Sequence, residues 1–230
     1  MVPINQSHWL ARAELLLGKD GVAKLSTCRV ALFGVGGVGS WCAEALVRSG
    51  IRQLTLVDGD CVEVSNINRQ LPAEPECVGQ PKAEVLARRL RRLSPEAEVE
   101  ARVLFYSADT AAALPLEPFD WVVDAIDSVP SKCLLAERAL ALGKGFCSSM
   151  GAALKRDPTL IRRAPLSRVT SCRLAKAVRT EFKRRGVSLD YPCVYSLERP
   201  QAAAGRGSLV QVTAPFGFAL AGLVIDSVAG

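Results

Sequence analysis

The sequence has few aromatic residues, a single histidine and no closely spaced pair of cysteines. Aromatic residues make up 6% of the 230 residues, against 49% hydrophobic and 23% charged residues. This balance is typical of one globular domain and excludes a disordered, collagen-like or coiled-coil chain. Because none of the eight cysteines forms a CxxC pair, we expect no structural zinc site, and we expect reduced thiols. The one histidine, His8, is expected to be exposed rather than catalytic.

The sequence also has no secretory signal and no clear membrane span. Its first residues contain no basic region that leads into an apolar segment. The apolar stretch 209–230 is interrupted by Pro215 and several glycines and contains Asp226, so it is a poor candidate for a bilayer span of roughly 20 residues. We therefore expect a cytoplasmic protein without an integral membrane span.

Positive charge is concentrated in one segment. Eleven of the 29 lysine and arginine residues lie between Lys155 and Arg185, where the acidic residues are Asp157 and Glu181, so the segment has a net charge of +9. The rest of the chain has a net charge of −3. A basic segment on a nearly neutral domain indicates a polyanionic partner such as nucleic acid. A solvated helix face is the alternative interpretation.

Short apolar segments alternate with segments of helical period through the first 150 residues. We expect strands at 29–34, 53–58, 99–105, 120–125 and 145–149, and helices at 38–49, 81–93, 108–114 and 131–142. A helical segment over 9–17 comes before them, and a helix at 174–185, an apolar run at 192–196 and a loop at 201–208 follow. The pattern predicts an α/β fold: a Rossmann-like, mainly parallel sheet with helices on both faces, plus an N-terminal helical arm and a basic C-terminal extension. We expect one domain, with the arm over 1–28, a nucleotide-binding core over 29–150 and the extension over 151–230.

A glycine-rich loop follows the first strand. Gly34, Gly36 and Gly39 stand in GxGxxG spacing between a strand and a helix, and Gly37 lies among them. Glycine permits a tight turn and brings backbone N–H groups close to phosphate at the positive end of the helix. Asp58 follows the next strand, where an acid can accept hydrogen bonds from ribose hydroxyls. The loop therefore predicts nucleotide binding.

Polar and basic residues follow the second strand. They are Asp58, Asp60, Asn66, Asn68, Arg69 and Gln70, with Lys82 at the start of the next helix. Taken singly, Arg69 or Lys82 could form a surface salt bridge. Together they favour a triphosphate over a dinucleotide, because arginine and lysine neutralise its oxygens and the charge on a leaving pyrophosphate.

Two aspartates end the fourth strand. Asp127 is expected at the carboxyl edge of the sheet, where it would help to hold Mg²⁺ with the phosphates. The competing interpretation is that Asp127 or Ser128 caps the following helix. Asp124 lies within the apolar run of the strand and is expected to have a structural role or to support the ligand-binding residues from behind.

Four motifs together resemble a known superfamily. The segments GVGGVGSW, LVDGDCVEVSNINRQ, VGQPKAE and VVDAIDSVPSK are similar to the motifs of the ubiquitin-activating-like adenylation superfamily, which includes the bacterial activators of sulfur-carrier proteins. Within it, ARAELLLGKDG, SSMGAALKRDPT, RTEFKRRGV and PCVYSLERP resemble the tRNA threonylcarbamoyladenosine dehydratases. The resemblance covers nearly the whole chain.

The resemblance implies an enzyme that uses ATP to activate a carboxylate as an acyl adenylate. It implies phosphate binding by Gly34, Gly36, Gly37 and Gly39, ribose contacts by Asp58 and Asp60, and triphosphate binding by Asn66, Arg69 and Lys82, with Asn68 and Gln70 in the same set. It further implies that Arg69, Lys82 and Asp127 are the catalytic residues, with Asp127 on the magnesium side, and that Arg12 reaches ATP across a homodimer interface. The extension over 151–230 would then bind substrate and form the dimer.

For the dehydratases, the implied substrate is the threonylcarbamoyl group on the adenosine beside a tRNA anticodon. Its carboxylate is adenylated, and the neighbouring carbamoyl group closes onto the activated carbonyl with net loss of water. The alternatives are an activator of a ubiquitin-like sulfur carrier, which commonly has paired CxxC motifs, and a nucleotide-binding module without chemistry. Cys193 stands where some dehydratases have a cysteine linked to sulfur-transfer proteins, which would be a further partner. Cys172 lies where related enzymes have a thioester cysteine, but for both residues a buried or incidental thiol is the favoured interpretation.

Overall fold

The computed structural model of the protein describes residues 9–202, 205 and 207–230. His8 and part of the predicted loop 201–208 lie outside the described residues. The helices are α1 (Ala11–Thr27), α2 (Gly39–Arg48), α3 (Lys82–Leu93), α4 (Val129–Ala141), α5 (Arg173–Arg185) and α6 (Val210–Ala229). The strands are β1 (Arg29–Phe33), β2 (Gln53–Val57), β3 (Glu98–Arg102), β4 (Trp121–Asp124), β5 (Gly145–Ser149), β6 (Ile161–Pro165) and β7 (Pro192–Ser196).

The seven strands form one sheet in the order β3-β2-β1-β4-β5-β7-β6. All neighbouring strands pair in parallel except β6 and β7, which are antiparallel at one edge. The predicted α/β fold with a mainly parallel sheet is confirmed. Because parallel strands end at the same edge, the loops after β1, β2, β4 and β5 lie side by side there.

Alternate residues of β1 pack into two different hydrophobic clusters. Val30 and Leu32 belong to a cluster that also contains residues of α2, α3 and α6, whereas Ala31 and Phe33 belong to a cluster with residues of α4 and α5. Successive side chains of a strand point to opposite faces of the sheet. Helices therefore cover both faces, and the central strands are buried on each side.

The segment between β3 and β4 differs from the prediction. The strand β3 ends at Arg102, three residues before the predicted end at Phe105, whose side chain is 65% exposed. The helix predicted at 108–114 is only a 3₁₀ turn over Ala111–Ala113. The alanines there favour a helix in isolation, but a short 3₁₀ turn is enough to connect the two strands.

The edge strand β6 was not predicted. Its second and third residues, Arg162 and Arg163, are exposed, so the strand lacks the hydrophobic alternation that marks a half-buried strand. The neighbouring strand β7 corresponds to the predicted apolar run 192–196. Charged residues on an edge strand also oppose pairing with another chain.

Pro215 and the glycines of the C-terminal stretch do not interrupt helix α6. Val212, Phe216, Leu220 and Val224 are buried at a spacing of four residues, which places one face of α6 in the core. A Cβ atom at Gly217 would lie 2.5 Å from the carbonyl oxygen of Val38, so this glycine permits close packing on the start of α2. By length and composition α6 could cross a membrane, but 44% of its apolar window is buried inside the protein.

The arm forms the longer helix α1, which is interrupted at Gly18. The backbone of Gly18 has φ +73° and ψ 163°, outside the helical range, and glycine adopts this conformation without a Cβ penalty. The part after the kink packs in the core through Val22 and Leu25. The part before the kink exposes Leu15 and Leu16, at 82% and 84%.

Candidate active site

A cavity of about 980 Å³ lies at the carboxyl edge of the sheet. It is lined by residues from the loops after β1, β2, β4 and β5, and by residues from the start of α5 and from the segment that leads into α6. Ligands of parallel α/β proteins bind at this edge. The cavity contains Gly34, Gly36, Gly37, Asp58, Asp60, Arg69, Gln70, Lys82 and Asp127 from the predicted set, whereas Gly39, Asn66, Asn68 and Arg12 do not line it.

The glycine loop is held in one conformation by its neighbours. Gly34 has φ +84°, and a Cβ atom there would lie 2.8 Å from the carbonyl oxygen of Ala125, so only glycine fits. The hydroxyl of Ser40 donates to the carbonyl of Gly36 at 2.6 Å and accepts from the amide of Leu71 at 3.2 Å. Ser40 thus joins the loop to the polar segment after β2. This role of Ser40 was not predicted, although a serine in the first turn of the helix after the loop was a signal for it.

Asp58 also holds the glycine loop. Its Oδ2 accepts from the amide of Val35 at 2.7 Å, and its Oδ1 accepts from the amide of Asp60 at 2.8 Å. Burial raises the pKa of Asp58, while the two amide hydrogen bonds and the nearby Lys82 act in the opposite direction. The carboxylate lines the cavity and keeps lone pairs for a ligand, so the predicted contact with a ribose is compatible with its position.

Lys82 and Asp60 form an ion pair at the rim of the cavity. The distance from Nζ of Lys82 to Oδ2 of Asp60 is 2.8 Å. The lysine side chain is only 7% exposed, whereas the aspartate side chain is 52% exposed. An incoming anion can therefore bind Lys82 while water solvates the released carboxylate.

Arg69 and Gln70, further along the polar segment after β2, also line the cavity. Nη1 of Arg69 donates to the carbonyl of Ser65 at 2.8 Å and to the amide oxygen of Asn68 at 2.9 Å, and the remaining guanidinium donors can bind a ligand. Gln70 is 92% buried, and its Oε1 has no hydrogen-bond partner among the described residues. Buried polar atoms are normally satisfied, so this amide indicates a ligand in the cavity.

Asn66 and Asn68 serve the local backbone in this structure. Asn66 is buried, and its side-chain oxygen accepts from the amide of Glu63 at 3.2 Å, which completes a capping box. Nδ2 of Asn68 donates to the carbonyl of Ser208 at 2.9 Å, so it ties this segment to the chain that leads into α6. Their assignment to triphosphate binding stays a prediction.

Helix α6 brings a residue to the glycine loop that the sequence analysis did not identify. Thr213 lines the cavity and is 4% exposed, and its hydroxyl has no partner among the described residues. A Cβ atom at Gly37 would lie 3.4 Å from the Thr213 side chain. No local sequence signal connects positions so distant in the chain.

Phe105 supplies an exposed aromatic ring to the cavity. It packs so closely on Gly59 that a Cβ atom there would lie 2.6 Å from the ring. An exposed ring beside Asp58 can stack on a nucleobase.

Asp127 is exposed at the cavity, directly after β4. One carboxylate together with phosphate oxygens is a common environment for Mg²⁺, so the position of Asp127 fits the predicted ion. Within the described residues, no group of three or more His, Cys, Asp or Glu side chains is arranged to hold a metal ion. The helix begins at Val129, and the Ser128 side chain makes no capping hydrogen bond.

Asp124 lies beneath this loop in a fully buried cluster. Its Oδ2 accepts from Nζ of Lys132 at 2.6 Å and from the Ser148 hydroxyl at 2.7 Å, and its Oδ1 accepts from the amide of Ile126 at 3.0 Å. Lys132 also donates to Ser148 and to the carbonyl of Ser149, both at 2.9 Å. The cluster joins the ends of β4 and β5 to α4, in agreement with the structural role expected for Asp124.

The β5 side of the cavity contains two cations that the sequence analysis assigned only to a general basic segment. Lys155 is 3% exposed, and its Nζ donates to the carbonyl of Glu198 at 2.6 Å. Burial lowers the pKa of Lys155, although nearby Cys172 and Glu198 act in the opposite direction. Arg173 lies at the rim, at the first residue of α5. A periodicity analysis cannot separate one buried lysine from its exposed neighbours.

The cysteines are free thiols in the described part of the chain. Cys193 is fully buried in β7, and burial raises the pKa of its thiol, which opposes a role in sulfur transfer. Sγ of Cys172 accepts from the amides of Gly151 and Ala175, both at 3.4 Å. It therefore connects the turn after β5 to the start of α5.

Most cations of the basic segment lie on the surface. Arg156, Arg168, Lys176 and Lys183 are exposed. Other arginines are paired, for example Arg185 with glutamates of α4 and α5. The segment therefore presents exposed basic side chains, of which Arg173 lines the cavity.

Comparisons with known proteins agree with this site. Residues 10–229 match the ThiF family. The chain is 40% identical over 193 residues to the tRNA threonylcarbamoyladenosine dehydratase of Bacillus subtilis, which covers 84% of this chain and 76% of that protein. It is 34% identical over 232 residues to the dehydratase of Escherichia coli, which covers 88% and 87% of the two chains.

A solved structure extends the similarity to the whole fold. The E. coli tRNA N6-threonylcarbamoyladenosine dehydratase TcdA in complex with AMP has a TM-score of 0.92 and 32% identity, and the match covers 99% of this chain and 96% of that chain. The sulfur carrier protein adenylyltransferase of Thermus thermophilus is 38% identical, but over 128 residues, or 56% of this chain. The family match over residues 10–229 agrees with the glycine loop and with the cavity at the sheet edge, and the chain belongs to the ThiF family.

Proposed function

We propose that the protein is an ATP-dependent tRNA threonylcarbamoyladenosine dehydratase. The observation that carries the proposal is one cavity that joins the glycine loop, Arg69, Lys82 and Asp127 in a chain similar to dehydratases over nearly its full length. Similarity to the sulfur-carrier activator covers little more than half of the chain, which favours the dehydratase.

The phosphates of ATP would lie on the glycine loop and reach Arg69 and Lys82. The substrate carboxylate attacks the α-phosphorus, the bond to the bridging oxygen breaks, and pyrophosphate leaves with the electron pair. Arg69 and Lys82 stabilise the charge that develops on pyrophosphate. Asp58 and Asp60 would accept from the ribose hydroxyls, and Phe105 would stack on adenine, since all three line the same cavity.

In the second step the carbamoyl group attacks the activated carbonyl carbon. AMP leaves with the electrons of the broken carbon–oxygen bond, the carbamoyl group loses a proton, and the net change is loss of one water from the nucleoside. This closure is intramolecular, so the protein has to orient the group and needs no nucleophile of its own.

Asp127 would hold Mg²⁺ against the phosphates, where the ion would neutralise their charge. The exposed position of Asp127 in the same cavity as Lys82 supports this role.

The exposed cations of the basic segment would bind the tRNA backbone. Phosphate contacts provide much of the affinity of proteins for nucleic acids and make it sensitive to salt. A tRNA substrate is compatible with the cytoplasmic location expected from the sequence.

The arm would form a homodimer interface. Leu15 and Leu16 are exposed next to each other on α1, and exposed apolar patches are typical of association sites. Arg12 lies one turn before them and is also exposed. In the homodimer, Arg12 would contact ATP in the cavity of the partner subunit.

The test uses the whole protein with ATP, Mg²⁺ and tRNA that contains threonylcarbamoyladenosine. After digestion, we expect the modified nucleoside to be lighter by one water, with one AMP formed per nucleoside converted. The Arg69→Ala variant is measured beside the wild type. The hydrogen bonds of the Arg69 side chain lie within an exposed segment, so this variant should fold normally and lose turnover. An unchanged nucleoside mass, with AMP formed only when a small carrier protein is added, would favour the sulfur-carrier activator.

A further inference from the structure

Acidic and basic residues that line the cavity are distributed unevenly along the sheet edge. The carboxylates that line it, Asp58, Asp60 and Asp127, follow β2 and β4. On the β5 and β7 side, the charged residues that line the described cavity are Lys155 and Arg173. That side is therefore purely cationic, whereas the nucleotide side contains both signs.

Lys155 is buried and lines the cavity, as Lys82 does, but unlike Lys82 it has no salt bridge among the described residues. An ammonium group has three donors, and the described residues give Nζ of Lys155 one acceptor, the carbonyl of Glu198. The Glu198 carboxylate does not line the cavity: it accepts from the amides of Arg156 and Asp157, and it acts on Lys155 through its charge without forming a salt bridge. A buried ammonium group with no carboxylate in direct contact is costly, so an anionic ligand would bind strongly here.

The backbone around this side of the cavity is strained. Among the described residues, Leu154 and Ser171 are the non-glycine residues with positive φ, at +62° and +53°. Leu154 directly precedes Lys155, and Ser171 precedes Cys172, so both strained positions flank the same part of the cavity. Strained backbone persists where surrounding contacts fix it, and it is concentrated at functional sites.

Hydrogen bonds from three segments fix these two turns. The amide of Leu154 donates to the carbonyl of Gly207 at 2.9 Å, and its carbonyl accepts from the amide of Gln201 at 2.8 Å. Cys172 joins the turn to α5, as described above. The position of Lys155 is therefore set in advance of ligand binding.

We propose that the β5 side of the cavity is the subsite for the carboxylate of the substrate nucleoside, with Lys155 as its ion-pair partner and Arg173 at the rim. The assignment rests on the proposed function and deepens it. The ligand is an aliphatic carboxylate linked through a carbamoyl group to a purine nucleoside. Asp127 lies between this subsite and the glycine loop in the order of the strands, so the carboxylate approaches the α-phosphate from the side opposite to the ribose.

The test measures equilibrium binding of tRNA without ATP, so that no reaction occurs. The wild type should bind tRNA that contains threonylcarbamoyladenosine about 10–100-fold more tightly than the same tRNA without the modification, as expected for a charge-assisted contact. Lys155→Gln keeps a donor for the carbonyl of Glu198 but removes the charge. This variant should bind the modified and the unmodified tRNA with equal affinity. Lys155→Arg should restore most of the ratio between the two affinities.

Two controls separate this subsite from general effects of charge. Lys176→Gln removes an exposed cation of the same segment and should weaken binding of both tRNAs equally, which leaves the ratio unchanged. The affinity of Lys155→Gln for ATP should equal that of the wild type.

Two results would overturn the assignment. They are an unchanged ratio in Lys155→Gln, or a loss of ATP affinity as large as the loss for modified tRNA, which would place Lys155 in the phosphate site. Dehydration by the wild type is measured in parallel. If the wild type dehydrates the nucleoside but the ratio is unchanged in Lys155→Gln, only the subsite is rejected. If the wild type does not dehydrate it, the proposed function and the subsite are both rejected.

Discussion

Two lysine–aspartate pairs lie in two regions of the same site and differ in their surroundings. At the rim, the Lys82 side chain is 7% exposed and its partner Asp60 is 52% exposed. Beneath the loop after β4, at what we call the floor of the site, Lys132 and Asp124 are both fully buried and share Ser148 as a further partner. The distances are similar, at 2.8 Å and 2.6 Å.

The difference shows how burial decides what an ion pair can do. A lysine whose partner reaches water can exchange that partner for a ligand, because water then solvates the released carboxylate. A pair that is buried on both sides cannot open without leaving a charge in an apolar interior. The floor pair thus fixes the strand ends, and the rim pair remains available for phosphate.

The largest expected effect comes from breaking the floor pair. Lys132→Met leaves Asp124 buried without a cation, so the free energy of unfolding should fall by about 3–5 kcal/mol. Urea denaturation measures this loss. The double variant Lys132→Met with Asp124→Asn removes both charges and should recover more than half of it, and a double variant no more stable than the single one would contradict the explanation.

Breaking the rim pair should affect activity instead of stability. Lys82→Met should lower kcat by roughly 100–1000-fold, the range for loss of one group that stabilises transition-state charge. Its free energy of unfolding should change by less than about 1 kcal/mol, because Asp60 is half exposed. Single-turnover rates and urea denaturation test both points, with Lys82→Arg as the charge-preserving control. If Lys82→Met unfolded as easily as Lys132→Met, the two pairs would not differ as described.

The smallest effect is expected for a pair that is exposed on both sides. Arg163 of β6 contacts Asp226 of α6 at 2.6 Å, with side chains 40% and 67% exposed. Asp226→Asn should change the free energy of unfolding by less than about 1 kcal/mol, and the change should shrink at high salt. Thermal melts at low and high ionic strength measure it. A larger, salt-independent loss would show that exposure does not rank the three pairs.

The parts of the site carried by local motifs were predictable from the sequence. The glycine loop, Asp58 and Lys82 stand at strand or helix ends, which parallel strands bring together at one edge, and Arg69 lies in the polar motif between Asp58 and Lys82. Lys155 and Thr213 were not identified, because their roles depend on contacts between segments far apart in the chain.

The elements that sequence analysis missed have tertiary causes. The glycines of the last stretch indicated an interruption, yet Gly217 permits α6 to pack on α2. The strand β6 has no apolar alternation because it lies at the sheet edge with two exposed arginines. In both cases the packing of the segment against the rest of the fold, and not its local backbone conformation, explains which residues occur there.

The position of Thr213 against Gly37 has a consequence for how the protein is made. Translation is directional, so the glycine loop leaves the ribosome long before the helix that completes its cavity. A nascent chain would expose the loop without its last wall and without the segment that fixes Lys155. The cavity therefore lacks Thr213 until helix α6 has left the ribosome and packed against the glycine loop.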